Sequence, residues 1–172
     1  YTKHLYHFNY VGGIILTDSR TMAYINMYAV LGTLENLCEL DSKAKELISG
    51  MKKPVSIGFT VTDGPSATIT FSSKGCRMED GLKDCDIKIP FSSCEKFNGM
   101  IDGTVTPIPV KGFTKIGFLL KTFVALTDRL AELMRPTEEM LKDRETFILS
   151  TQLTFYTICV AMAQIANQDP IG

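Results

Sequence analysis

The sequence lacks the motifs that announce most enzymatic chemistries. It holds no phosphate-binding glycine loop, no dinucleotide fingerprint, no nucleophile elbow and no HExxH pair, so the phosphate, nicotinamide, acyl-transfer and zinc-hydrolase readings all lose their usual anchor. Histidine is confined to His4 and His7, which sit beside Tyr1, Tyr6 and Phe8 with no third ligand at local spacing, so a surface role is favoured over a metal site. Cysteine is sparse and odd in number: Cys38, Cys76, Cys85, Cys94 and Cys159 have no zinc-like spacing. Neither positive nor negative charge is in excess. Eighteen Lys and Arg against 19 Asp and Glu leave a formal charge of -1, which gives no long-range positive field for phosphate backbones or anionic bilayers and makes nucleic acid an unexpected partner. Residues 1–17 show no basic region leading into a signal-peptide core, so a reducing cytoplasm is the expected location. No catalytic residue, metal or cofactor is assigned on this basis.

What the chain does have is apolar surface in excess. Apolar residues make up 45% of its 172 positions, and a mean hydropathy of +0.09 is high for a chain whose surface must be wetted. The length suits a single domain, 1–172, able to bury roughly 70% of its extended-chain surface. Within it, 1–50 reads as an N-terminal arm and helices, 54–134 as the core and 143–167 as an additional C-terminal helix.

Periodicity supplies the elements. Tyr24, Met27, Tyr28, Leu31, Leu34 and Cys38 recur at helical spacing over 19–40, and a short helix follows Asp41-Ser42 and ends at Gly50. After Pro54 the period changes to two: Val55, Ile57, Phe59 and Val61 alternate with polar residues, Asp63-Gly64-Pro65 turns the chain, and Ala67, Ile69 and Phe71 repeat the pattern, predicting an antiparallel pair. Two shorter strands near 75–79 and 85–89 extend the sheet around Asp80-Gly81. Cys76 and Cys85 flank that turn, where they would face each other as a disulfide or, in the commoner role, serve as small buried hydrophobes. Pro90 marks the exit from the last of these strands, a short helix over 91–100 follows, and 112–116 offers an edge strand beyond Pro107 and Pro109.

Gly117 opens a second strong helix to Met134, broken at Arg135-Pro136. Asp143 then caps a last helix reaching about Asn167. Its stretch FILSTQLTFYTICVAMAQIA (147–166) has no charged residue. A helix buried in the core or in a subunit interface is the favoured reading, ahead of the wall of an apolar cavity, and the polar Gln152, Thr154, Thr157 and Gln164 argue against stable membrane insertion. Tyr156 and the two glutamines need hydrogen-bond partners if buried, from neighbouring elements or from a ligand's polar group. The acidic pairs Glu79-Asp80 and Glu138-Glu139, with Asp84 and Asp86, read as solvated surface.

Three consecutive segments, GFTVTDGPSATITFSSKG (58–75), EDGLKDCDIKIPFSSCEKFNGMIDG (79–103) and PIPVKGFTKIGFLLKTFVALTDRLAEL (107–133), resemble the sterol carrier protein 2-like lipid-transfer domain family. The shared order is an Asp-initiated strand, a short helix ending in glycine, an extended stretch of lysine and glycine, and a helix. The resemblance implies an α+β fold of about five mainly antiparallel strands with helices packed on one face, bordering a hydrophobic tunnel for acyl chains or sterol-like molecules, and no shared catalytic residues. Independently, Phe59, Ile69, Phe71, Phe97, Met100, Phe118, Phe123 and Tyr156 are the candidate ligand-binding residues, although the same side chains would also make an ordinary core. The expected function is noncovalent binding, and transfer, of a lipid or sterol-like ligand. The alternatives are a homodimeric structural or regulatory protein joined through the C-terminal helix, and a small enzyme acting on a hydrophobic substrate.

Overall fold

The structure, a computed structural model, describes residues 18–168; His4, His7 and the rest of the aromatic leader lie outside them. The first helix, α1, spans residues 19–40 in three consecutive segments, Ser19–Tyr24, Ile25–Leu31 and Thr33–Leu40, the middle one wound as a π-helix. Asp18 starts it, accepting from the amides of Arg20 and Thr21 at 3.1 and 3.0 Å, which satisfies two of the donors that a helix start leaves open. Asp41 ends α1 and caps α2, Ser42–Ser49, by accepting from the Ala44 amide at 3.1 Å.

Four strands follow: β1, Val55–Val61; β2, Ser66–Ser72; β3, Gly75–Asp80; and β4, Ile87–Phe91. Their order is β3-β2-β1-β4, with β1–β2 and β2–β3 antiparallel and β1–β4 parallel. The parallel pair corrects the expectation that the shorter strands simply extend the sheet around Asp80-Gly81: residues 81–86 carry the chain back across to the far side of β1. Gly58 allows that crossing, because a Cβ there would meet Leu82 and would lie 2.7 Å from the Cys85 sulfur. Asp86 sets the register, accepting from the Ser56 amide at 2.9 Å while its own amide donates to the Ser56 hydroxyl at 3.0 Å. It is therefore half-buried and partnered, not the solvated acid that alternation suggests. Asp80 is likewise partnered, by the Tyr28 hydroxyl.

The crossing also separates Cys76 from Cys85, which end on opposite edges of the sheet. All five cysteines are free thiols, and the Cys76 thiol shares a hydrogen bond with that of Cys38 in α1. β4 runs through Pro90 instead of stopping there, which an outer strand tolerates because a missing amide donor harms only an inner ladder. The expected edge strand over 112–116 shrinks to one antiparallel bridge between Lys88 and Lys111. Gly112 ends it at φ 91°, with Ile87 Cα 2.9 Å from where a Cβ would stand, and a 3-10 turn, Phe113–Lys115, leads into the next helix.

Helix α3, Cys94–Ile101, is capped by Ser93, which accepts from the Lys96 amide at 3.3 Å. Helix α4 covers residues 116–134 as Ile116–Phe118, a second π-helical segment Leu119–Phe123, and Val124–Met134. Helix α5, Arg144–Gln168, begins at Asp143, whose carboxylate accepts from the Thr146 amide at 2.8 Å. The result is a mixed α+β fold, a four-stranded sheet with several helices packed against it. Val55, Ile57, Phe59 and Val61 of β1, Ala67, Ile69 and Phe71 of β2, and Ile87, Ile89 and Phe91 of β4 are all buried and form one core with Met27, Leu34 and Leu37 of α1 and Leu126, Leu130 and Leu133 of α4.

The last helix is not buried in the core of the chain. Only Ser150, Leu153 and Thr157 are buried. Ser150 donates to the Leu133 carbonyl at 2.6 Å and Thr157 meets Thr33 of α1, oxygen to oxygen, at 2.6 Å, so a narrow polar seam holds α5 to α1 and α4. Phe147, Ile148, Phe155, Ile158 and Met162 all face outward.

One ion pair is held inside. Arg129 of α4 forks onto Asp41 with both nitrogen–oxygen distances at 3.0 Å, and its side chain is 11% exposed against 4% for Asp41. Burial pushes the Asp41 carboxyl up, but the bonds from Arg129 and from the Ala44 and Lys43 amides together hold it below the ordinary aspartate value. A depressed folded-state pKa stabilises above the unfolded value and is lost as pH falls through the folded one. Asp41→Asn should therefore cost about 2 kcal/mol near neutral pH, Glu132 still engaging Arg129, and the gap from wild type should close below about pH 4. Urea unfolding of both proteins between neutral and acid pH measures this.

Candidate functional site

The sheet register places the candidate residues. Val55 stands opposite Phe71, Ile57 opposite Ile69 and Phe59 opposite Ala67, while Ile87 and Ile89 flank Ile57 and Phe59 on the other side. Because cross-strand partners share a face, these side chains form one continuous apolar surface beneath α1 and α4. Onto it α4 lowers Phe118 and Phe123. The Phe71 ring centroid lies 5.4 Å from Phe118 and 6.0 Å from Phe123, the latter edge-on at 81°, and Phe59 lies 6.1 Å from Phe123. Such tilted pairs are favourable beyond the area they bury.

Phe59, Ile69, Phe71, Phe118 and Phe123 are thus brought together as expected of a common surface. Phe97 is not among them: it packs edge-on against Phe91, 5.2 Å between centroids, at the C-terminal end of β4. Met100 stays half-buried on α3 against the same core. Tyr156 lies apart on α5, bonded to Asn36 of α1, its phenol pushed up by burial and by the nearby Glu35 carboxylate. It remains protonated at neutral pH, able to donate a hydrogen bond but not to act as a base.

Two features escape any reading of periodicity. Both helices roofing the aromatic face carry π turns, 25–31 and 119–123, and bury Met27, Val30 and Leu31 from one and Leu119 and Phe123 from the other. Such turns widen a helix, cost hydrogen-bond geometry and occur often at functional sites; the apolar stripe of each helix reads the same with or without them. The second feature is an open cleft of about 620 Å³ between α1 and β3, lined by Glu35, Asn36 and Glu39 on one side and by Lys74, Cys76, Arg77 and Met78 on the other. Its charges come from segments forty residues apart in sequence, so no local spacing signals it.

The cleft adjoins the aromatic face. Cys76 and Met78 are the cross-strand partners of Phe71 and Ile69, so Phe71 has the cleft at one side and Phe118 over its ring. Glu35 accepts from the Met78 amide, fixing α1 along the open side of β3. The Cys76 thiol is pushed up by its hydrogen bond to Cys38 and by burial. Among the described residues no three His, Cys, Asp or Glu side chains are grouped to hold a metal ion.

Phe118 differs from its partners. Phe59 and Phe71 are fully buried and Phe123 nearly so, whereas Phe118 is only half-buried. The aromatic cluster therefore reaches the surface at the first turns of α4. Compared with protein-family models and with curated proteins, the chain matches none. Phe71→Ala should destabilise the fold by about 3 kcal/mol, the usual cost of a buried phenylalanine cavity, read as a lower urea midpoint with an unchanged m-value.

Proposed function

We propose that the chain binds a lipid-like apolar ligand noncovalently, between the sheet and the π-turned segments of α1 and α4, in the manner of the lipid-transfer domains that residues 58–133 resemble. The observation that supports this reading is the aromatic cluster that begins deep on the sheet at Phe59 and Phe71 and comes to the surface at Phe118. Phe118 then acts as a movable cover. Swinging it outward opens a path along Phe71 and Phe123, and the ligand's polar end rests in the mixed-charge cleft beside Lys74 and Arg77. Each methylene removed from water contributes about 0.8 kcal/mol, so an acyl chain of about a dozen carbons gains roughly 10 kcal/mol before the costs of association. Burial of the tail suffices for useful affinity, and a single polar contact orients it.

Native mass spectrometry of freshly purified protein, followed by organic extraction, should recover an acyl or isoprenoid compound, and a fluorescent fatty acid should bind and be displaced by unlabelled lipid. Phe118→Ala should weaken probe binding several-fold while leaving the fold intact. Protein that is always ligand-free and rejects the probe would sink the reading.

A second reading rests on a separate observation. Along α5, Ile148, Thr151, Phe155, Ile158 and Met162 are exposed at alternating spacings of three and four, the spacing of a helix-pairing seam. A homodimer through α5 would cover that row, with no charge between 146 and 168 to oppose it. Light scattering should then give a mass above the 19.1 kDa of one chain, and Phe155→Asp should return it to one chain; a monomer at every concentration would count against the seam.

A further inference from the structure

We infer that residues 103–127 form a peripheral docking surface for an anionic phospholipid bilayer. This goes beyond ligand binding in the interior and does not depend on it. Over these 25 positions the sequence has Lys111, Lys115 and Lys121 and no Asp or Glu, a local imbalance hidden by the near-zero charge of the whole chain. Among the described residues the same stretch holds the four most exposed large apolar side chains outside α5, Ile108 at 72%, Phe113 at 67%, Leu120 at 64% and Val110 at 57%, together with Val124 at 42%.

Their placement is ordered. Gly117, Leu120 and Val124 follow one another at spacings of three and four along the outer side of α4, Phe113 is exposed in the 3-10 turn just before it, and Leu119, Phe123 and Leu126 of α4 are buried. Ile108 and Val110 precede that side where the bridge to Lys88 ends. Lys111 pairs with Asp84 at 3.2 Å, but both are well exposed, and a solvated pair of this kind is easily exchanged for another anion. The acidic residues of α4 begin only at Asp128, beyond the exposed row.

Apolar side chains flanked by lysines match an interface in which the former enter the acyl boundary and the latter meet lipid phosphates; neither signal alone anchors firmly. A second copy of the chain is a poorer occupant. A twofold contact centred on this row would set Lys115 of one copy against Lys121 of the other, repulsion that a charge-free surface such as the outer side of α5 avoids. Docking is peripheral, since the segment is too short and too interrupted to span.

Flotation with phosphatidylcholine vesicles, with and without phosphatidylglycerol, tests this. The full chain should float with the anionic vesicles, stay behind with neutral ones, and be released by high salt. Lys115→Glu with Lys121→Glu, and separately Phe113→Ser with Leu120→Ser, should each lower partitioning at least about tenfold, with far-UV circular dichroism unchanged because all four side chains lie outside the core. Leu47→Ser on α2, another exposed apolar side chain and one outside residues 103–127, should partition as wild type. Absence of anionic-vesicle binding, full binding by both double variants, or an equal loss with Leu47→Ser would overturn the assignment. So would a change of oligomeric mass in the double variants without a change in flotation. None of these outcomes depends on whether the interior holds a ligand.

Discussion

A four-stranded sheet with one face apolar but for Asp80 at its edge has to be roofed, and most of the architecture follows from how that is done. β1 is the centre of the problem: Val55, Ile57, Phe59 and Val61 are all buried, with β2 on one side and β4 on the other. Each such side chain contributes roughly 1.5–3 kcal/mol only if it leaves water completely. Helices α1 and α4 provide the cover. The Arg129–Asp41 fork ties α4 to the junction of α1 and α2, and Tyr28, its hydroxyl 2.9 Å from the Ser66 carbonyl, ties α1 to the start of β2. At the other end of the sheet Asn26 donates to Asn98 at 3.0 Å, and Asn98 to the Ser19 carbonyl at 2.9 Å, so α3 is fastened to the first turns of α1. The polar contacts sit at the margins, and the centre is left to hydrocarbon.

The elements with a clean period were legible in the sequence. β1 and β2, the helix over 19–40, the break at Asp41-Ser42 and the cap at Asp143 follow from alternation, stripes and side-chain oxygens placed just before apolar runs. Topology was less legible. The parallel placement of β4 depends on a glycine at 58 that lets Leu82 and Cys85 cross over the sheet, and a glycine inside a strand has several meanings. A proline in β4 reads as a stop unless the strand is known to be outermost. The π turns left no trace, because shifting a hydrogen bond by one residue does not alter which residues are apolar.

The site was legible in part for the same reason. Phe59, Ile69 and Phe71 share a face by strand period, and Phe118 and Phe123 fall on the inner side of α4, so their meeting required only that the helix lie on the sheet. Phe97 and Tyr156 depend on where α3 and α5 dock, which their own sequences leave open. α5 shows this most plainly. Its composition suggests burial, yet only a narrow line of Ser150, Leu153 and Thr157 is covered, since a helix without charge has no side that local sequence marks as wet. The apolar excess of the chain is thus divided between a sealed core and surfaces on α4 and α5 that remain available.

The contacts along the margins of the sheet have one further effect. β3 and β4 each present a row of backbone donors and acceptors that invites a strand from another molecule. At β3 the Glu35 carboxylate takes the Met78 amide. At β4, Val110 donates to the Lys88 carbonyl at 2.8 Å and Lys88 to the Lys111 carbonyl at 3.3 Å. Strand addition, and with it the growth of intermolecular sheets, is obstructed at these points on both sides, and the exposed hydrocarbon lies on helices and loops instead of along open strand edges.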